Sequence, residues 1–232
     1  MQCPYCKEEI IDGALKCKHC GSMLSDPLVV RETGGRNDFG AMFGRAFDLW
    51  KGDMGNLVLV TLVFMVVVWI PIANVGFIAG YTRSLLKVSR GEGRAAVGDI
   101  FSAWDCFGNL LGFVLINLLA YFILHFVPIL GPLASLVLGF VVMPGSFLII
   151  DRGKGVMDAY KWCLKTMQTD FVNWLLAYLV GSVIACAGFV LLIIGIIISI
   201  PLGQLIIVQQ YEVAVKDYPT GFRKKAENEI EI

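Results

Sequence analysis

The sequence predicts an all-α fold: a polytopic membrane helix bundle of six transmembrane helices arranged as three hairpins, with interfacial amphipathic helices beside them. The main observation is that Asp, Glu, Lys and Arg are absent from three long tracts, which lie between Asp53 and Arg83, between Asp105 and Asp151, and between Asp170 and Glu212. A helix needs about 20 residues to cross a hydrocarbon core of roughly 30 Å. The second and third tracts are therefore long enough to cross twice.

The positions of the basic residues predict the orientation of the bundle. All 19 Lys and Arg residues fall into four groups, before Asn56, within 83–94, within 152–165 and after Tyr211. The first tract is either one helix kinked at Pro71 or two helices that turn within 71–76. Only the second alternative keeps all four groups on one side, and the positive-inside rule makes that side the cytoplasm. We therefore expect a multi-pass protein of the cell inner membrane with both termini cytoplasmic.

The remaining hairpins are expected to turn where proline and glycine interrupt the apolar tracts, because proline removes a backbone donor and glycine weakens a helix. These interruptions are Pro128 with Gly131 and Pro132, and the stretch 188–195. In the first hairpin, the second helix is expected over 73–90. Its inner end carries Arg83, Lys87 and Arg90 on one stripe, from which long side chains can reach the membrane interface.

A short amphipathic segment precedes each hairpin. Apolar and aromatic residues recur at helical spacing within 39–50 and 156–171, and a shorter version occurs within 100–107. Such segments are expected to lie in the cytoplasmic interface. Each is followed by an Asn and a large apolar residue, at Asn56, Asn109 and Asn173. This recurrence suggests three repeats, although aromatic residues are enriched at any membrane interface, so repeat ancestry stays open.

Four cysteines in two closely spaced pairs precede the apolar tracts: Cys3 with Cys6, and Cys17 with Cys20. Two such pairs can converge on a tetrahedral site, and Zn²⁺ is the usual occupant of a four-cysteine site. A disulfide is disfavoured in the cytoplasm, and a redox site would not need both pairs. The sequence thus predicts a small zinc ribbon over 1–24 in which Zn²⁺ is structural and supplies most of the folding free energy.

The rest of the domain organisation follows from composition. Residues 25–37 contain Pro27, Gly34 and Gly35 without periodicity and indicate a flexible linker. The transmembrane domain is expected over 38–215, and 216–232 is expected to form a cytoplasmic tail. The ribbon is nearly neutral and the chain has a formal net charge of zero, which argues against nucleic acid as a partner.

Few groups within the tracts could carry out chemistry. His125 lies near the outer end of the third span, where an imidazole is ordinary, and the other polar residues there, Thr61, Asn117, Ser199, Gln204, Gln209 and Gln210, are expected to hydrogen-bond between helices. Gly76 with Gly80, and Gly108 with Gly112, have the spacing that lets helices approach closely. No catalytic residue and no cofactor-binding residue is identified, so we expect a protein that is not an enzyme.

Two stretches resemble known families. The segment 76–92, followed by Asp99-Ile-Phe-Ser-Ala-Trp104, resembles an uncharacterised family of bacterial six-span integral membrane proteins, and more distantly the membrane domain attached to some glycerophosphodiester phosphodiesterases. The amino-terminal segment resembles a bacterial zinc-ribbon module through Cys3-Pro-Tyr-Cys6 and Cys17-Lys-His-Cys20. The resemblance implies an all-helical membrane domain without a known reaction.

These expectations favour a non-enzymatic membrane scaffold or adaptor, in which the ribbon docks a cytoplasmic protein and the bundle anchors it or forms a homo-oligomer. A closed four-thiolate site has no open coordination position for catalysis. One alternative is a transporter or channel for a neutral or lipid-like substrate, which the glycine-rich helices and the repeated pattern would suit. Another is a protein that organises lipids or senses curvature through its interfacial helices.

Overall fold

The computed structural model describes residues 38–128, 130–188 and 192–215. The predicted zinc ribbon with Cys3, Cys6, Cys17 and Cys20, the linker and the tail lie outside this part of the chain. The described residues form α-helices and short 3-10 turns, without a β-strand. The helices are α1 (Phe39–Gly52), α2 (Met54–Val67), α3 (Ala73–Ser89), α4 (Phe107–His125), α5 (Leu130–Arg152), α6 (Val156–Ala187) and α7 (Leu192–Val215).

By length and composition, the described residues contain four helical segments able to cross a membrane: Val97–His125, Leu130–Arg152, Val156–Ala187 and Gly195–Val215. The count rises to five if α1 and α2, which meet at an angle of 87°, are taken as one broken span. The membrane character predicted from the apolar tracts is therefore plausible. The predicted count of six is not reached, because α2 and α3 have only 14 and 17 residues. At a rise of about 1.5 Å per residue, both are shorter than a hydrocarbon core of roughly 30 Å.

The chain nevertheless turns within the first apolar tract where the sequence predicts. Helix α2 ends at Val67 and α3 begins at Ala73, with Pro71 between them. Ile72 has a positive φ of 66°, and Trp69 in the same turn is 84% exposed. Tyr81 on α3 shares a buried 2.9 Å hydrogen bond with Thr61 on α2. The two helices thus pack side by side.

The three amphipathic segments adopt different structures. The first is α1, which packs against α7 and donates a hydrogen bond from Trp50 Nε1 to the Ile198 carbonyl at 3.1 Å. The third is the first half of α6, which continues into an apolar helix across non-helical backbone at Asp170. The second was expected as a short helix, but it forms two 3-10 turns, Val97–Phe101 and Trp104–Cys106.

Glycine permits the closest packing in the bundle, although with different partners from those expected. A Cβ atom on Gly80 would lie 2.1 Å from the Ile100 carbonyl oxygen, and one on Gly76 would lie 2.9 Å from the Trp104 ring. This face of α3 therefore packs against the 3-10 turns and the Trp104 ring. A Cβ atom on Gly108 would meet nothing within 4 Å. Helices α6 and α7 cross closely at Gly181 and Gly203.

Candidate functional site

One end of the bundle carries a network of charged side chains built around the basic row, which we define as Arg83 and Lys87 on α3 and Arg90 directly after it. Their spacing places all three on one face of the helix. The sequence predicts that these side chains reach toward the membrane interface. In the structure, each binds an acidic side chain from another part of the chain, so the row joins elements of the protein.

Arg90 is the centre of this network. Its Nη1 donates to Asp151 Oδ1 at 2.6 Å and its Nε donates to Glu212 Oε1 at 2.8 Å. Asp151 has a side chain that is only 6% exposed, and its Oδ2 also accepts from Tyr211 OH at 2.8 Å and Arg152 Nε at 2.9 Å. Arg90 lies at the end of α3, Asp151 on α5, and Glu212 on α7. The ion pairs therefore connect three helices that are far apart in sequence.

The surroundings keep Arg90 charged. Burial acts to lower the pKa of its guanidinium, but the hydrogen bond with Asp151 and the charges of Glu212 and Asp151 outweigh this effect and raise the pKa above its ordinary value. A guanidinium that donates to two carboxylates satisfies both charges at once. Arg90 is thus a permanent cation held between two anions.

Arg83 binds a second carboxylate and also the end of a helix. Its Nη1 and Nη2 donate to the two oxygens of Asp105 at 2.6 and 2.7 Å. Its Nε and Nη2 donate to the Ile150 carbonyl at 3.1 and 3.0 Å. Ile150 is in the last turn of α5, where carbonyl groups lack partners within the helix. Arg83 therefore caps α5 from a neighbouring helix.

Lys87 completes the row by holding the first 3-10 turn. Its Nζ lies 3.2 Å from both carboxylate oxygens of Asp99. Asp99 Oδ2 also accepts from Ser84 Oγ at 3.1 Å and from the Ala96 N–H at 3.0 Å. The carboxylate thus fixes the start of the turn to α3. This explains why the segment bends tightly here and does not form a longer interfacial helix.

An open cavity of about 270 Å³ lies beside the basic row. Its charged lining includes all three residues of the row, together with Asp99 and Asp151. These five side chains already bind one another or other groups of the protein. Within the described part of the chain, no three His, Cys, Asp or Glu side chains are grouped so as to hold a metal ion. The cavity is therefore surrounded by charges that already have protein partners.

A second arrangement recurs at two corners of the chain, where an amphipathic helix meets an apolar one. Asp53 has φ −129° and ψ 24°, and Asp170 has φ −144° and ψ 39°. Asn56 Nδ2 donates to Asp53 Oδ1 at 2.6 Å, and Asn173 Nδ2 donates to Asp170 Oδ1 at 2.7 Å. The backbone conformation and the hydrogen bond are thus alike at both corners. We call these the Asp53 corner and the Asp170 corner.

The second oxygen of each corner carboxylate binds a distant element. Asp53 Oδ2 accepts from the Ala95 N–H at 2.7 Å, and Asp170 Oδ2 accepts from Gln210 Nε2 at 2.5 Å. Asp105, which precedes the second hairpin, binds Arg83. The likeness seen in sequence therefore extends to detailed geometry at the first and third hairpins, whereas the second hairpin begins differently.

The polar residues within the apolar tracts mostly bind other helices, as expected. Ser199 Oγ donates to the Ala185 carbonyl at 2.9 Å, Gln209 Nε2 donates to Ser89 Oγ at 2.7 Å, and Gln210 binds the Asp170 corner. Asn117 differs, because its Nδ2 donates to the Phe113 carbonyl within its own helix at 2.8 Å. His125 lies at the end of α4 and lines a shallow groove of apolar residues.

The acidic partners of the basic row were not identified from the sequence. A signal was present, because three of the four charged residues at the ends of the second and third charge-free tracts, Asp105, Asp151 and Glu212, bind the basic row, and the fourth is Asp170. Charged residues at the two ends of an apolar tract are expected at the ends of a span, where several helix ends meet.

The chain matches no protein-family model, no curated protein and no solved structure.

Proposed function

We propose that this protein is a non-enzymatic integral membrane scaffold whose bundle anchors an amino-terminal zinc ribbon, and that the ribbon docks a cytoplasmic protein. In this proposal the bundle crosses the inner membrane six times, with α2 and α3 as a short first hairpin and both termini in the cytoplasm. Cys3, Cys6, Cys17 and Cys20 bind one structural Zn²⁺. The bundle belongs to the six-span family that the segment 76–92 resembles.

The observation that carries the proposal is the closed network around Arg90. A catalytic or transport site needs polar groups that can exchange a protein partner for a substrate. Arg90 instead forms ion pairs with both Asp151 and Glu212, and Asp151 accepts two further hydrogen bonds. Such a network supports a fixed arrangement of helix ends, which is what an anchoring domain requires.

Recovery of the complex from its native membrane tests the proposal. The full chain is extracted gently, and the mass and composition of the complex are compared for the native protein, a Cys3→Ser/Cys6→Ser variant and a Cys186→Ser control. Cys186 is exposed on α6, outside the predicted metal site. The expected result is a stoichiometric protein partner with the native protein and the control, and its loss with the double variant, while membrane insertion is unchanged.

Two other outcomes would contradict the proposal. A partner retained by the double variant would remove the ribbon as the docking element. A homo-oligomer without any other protein would contradict the adaptor function and favour a self-assembling scaffold or a pore.

A further inference from the structure

The first half of α6 has one buried face and one exposed face. Ala159, Trp162, Cys163 and Thr166 are buried in the bundle. On the opposite face, Met157, Leu164 and Phe171 are 67%, 60% and 47% exposed. Met157 and Leu164 are spaced by two helical turns and therefore lie on one face of the helix, and Phe171 follows directly after the non-helical Asp170. We call these three residues the α6 apolar row.

Two lysines flank the α6 apolar row on the exposed side. Lys161 and Lys165 are both exposed and lie one helical turn apart. Of the ion pairs formed within the described residues, none includes either lysine. This distinguishes them from the basic row on α3, where every cation binds a carboxylate of the protein. The two ammonium groups are therefore available to an anion from outside the bundle.

The position of this surface indicates the nature of that anion. The α6 apolar row continues through Phe171 into Val172, which is 64% exposed, within the candidate span Val156–Ala187. The lysines thus lie at the polar end of the candidate span, which is the interface position for a helix that crosses a membrane. At that depth, long lysine side chains extend toward phosphate groups while neighbouring apolar residues enter the acyl boundary. An acidic protein surface would not be matched to the apolar row.

We infer that Lys161 and Lys165, together with the α6 apolar row, form a contact surface for anionic phospholipid headgroups. This surface adds a lipid preference to the bundle and is independent of whether the zinc ribbon docks a protein. The attraction is electrostatic, so it falls as salt screens the charges. The apolar row enters the acyl boundary of the membrane but does not distinguish anionic from neutral lipids.

The test compares lipids in contact with the reconstituted full-length protein. Spin-labelled phosphatidylglycerol and phosphatidylcholine are added separately to vesicles of phosphatidylcholine, and the fraction of each label immobilised by the protein gives their relative association constant. The variants are Lys161→Gln/Lys165→Gln and the charge-conserving Lys161→Arg/Lys165→Arg. Because both positions are exposed, all three proteins are expected to insert and unfold at similar temperatures.

We expect the native protein and the arginine variant to prefer phosphatidylglycerol, and the glutamine variant to lose at least about half of that preference at low salt. The preference of the native protein should also decline as salt is added. An equal preference in the glutamine and native proteins would overturn the assignment of these lysines. Equal association of both lipids with the native protein would overturn the lipid surface itself. In the extraction from native membrane, loss of a bound protein from the glutamine variant alone would overturn it too and assign the lysines to an acidic protein.

Discussion

Arg83 and Asp105 face each other, and the two Nη atoms of the guanidinium donate to the two carboxylate oxygens at 2.6 and 2.7 Å. The geometry is that of a strong ion pair, yet the Asp105 side chain is 64% exposed. Water and salt screen such a pair, so its contribution to stability is expected to be below about 1 kcal/mol. The greater structural role of Arg83 lies in its bonds to the Ile150 carbonyl.

The Arg90 network provides the first prediction. Arg90→Met should lower the free energy of unfolding by about 3 kcal/mol, because Asp151 would remain a largely buried carboxylate without its main cation. Asp105→Asn breaks the exposed ion pair with Arg83 and should lower the free energy of unfolding by less than about 1 kcal/mol. Unfolding in detergent micelles, followed by circular dichroism, measures both changes. Equal losses of unfolding free energy in the two variants would show that burial does not determine how much each ion pair contributes.

The corners provide the second prediction. Asp53→Ala leaves the Ala95 N–H without its partner and removes the bond from Asn56, so it should destabilise the protein by about 2 kcal/mol. Asp170→Ala should have a similar effect, and the two losses should be additive if the corners do not interact. Asp48→Ala on the exposed face of α1 is the control and should change stability by less than about 0.5 kcal/mol. The prediction fails if the control is as damaging as either corner variant.

Gly80 and Gly108, each from a pair of glycines four residues apart, provide the third prediction. Gly80→Ala places a methyl group against the Ile100 carbonyl and should destabilise the protein by about 2 kcal/mol or more. Gly108→Ala has open space and replaces glycine within a helix, so it should be neutral or stabilising by up to about 1 kcal/mol. The same unfolding measurement applies. A neutral Gly80→Ala variant would be inconsistent with the close contact at the 3-10 turn.

Chemical labelling tests the six-span topology. In a Cys186→Ser background, a cysteine at Ile72 should react with a membrane-impermeant maleimide added to intact cells with a permeable outer membrane. Gly155→Cys lies in the turn between α5 and α6, and it should react only after the membrane is opened. Protection of position 72 in intact cells, with reaction after lysis, would exclude α2 and α3 as a transmembrane hairpin.

Metal analysis tests the predicted zinc ribbon. The purified native protein should contain about one Zn²⁺ per chain, because four thiolates complete a tetrahedral shell. Cys3→Ser/Cys6→Ser should contain almost none, whereas Cys186→Ser should retain the metal. A native protein purified without a chelator that contains no zinc would contradict the assignment.

The apolar tracts predicted the helical nature of the bundle, and the distribution of Lys and Arg favoured a turn at Pro71 over one kinked helix. The pairing of Arg90 with Asp151 and Glu212 depends on which helix ends meet, and a single sequence does not specify this. The segment around Ile100 was mispredicted as a short helix for a similar reason. Its form depends on the carboxylate of Asp99, which binds α3, and on the absence of a side chain at Gly80, which lets the segment approach α3 closely.

The packing of α1 and α2 against α7 also has a consequence for biosynthesis. Leu57 and Val60 on α2 share a buried cluster with Leu205 and Val208 on α7, although residues 68–191 lie between the two helices. The first hairpin to leave the ribosome must therefore wait for the final helix before its packing is complete. A chain that stops before α7 is made would leave Leu57 and Val60 without the apolar cover that this cluster gives them.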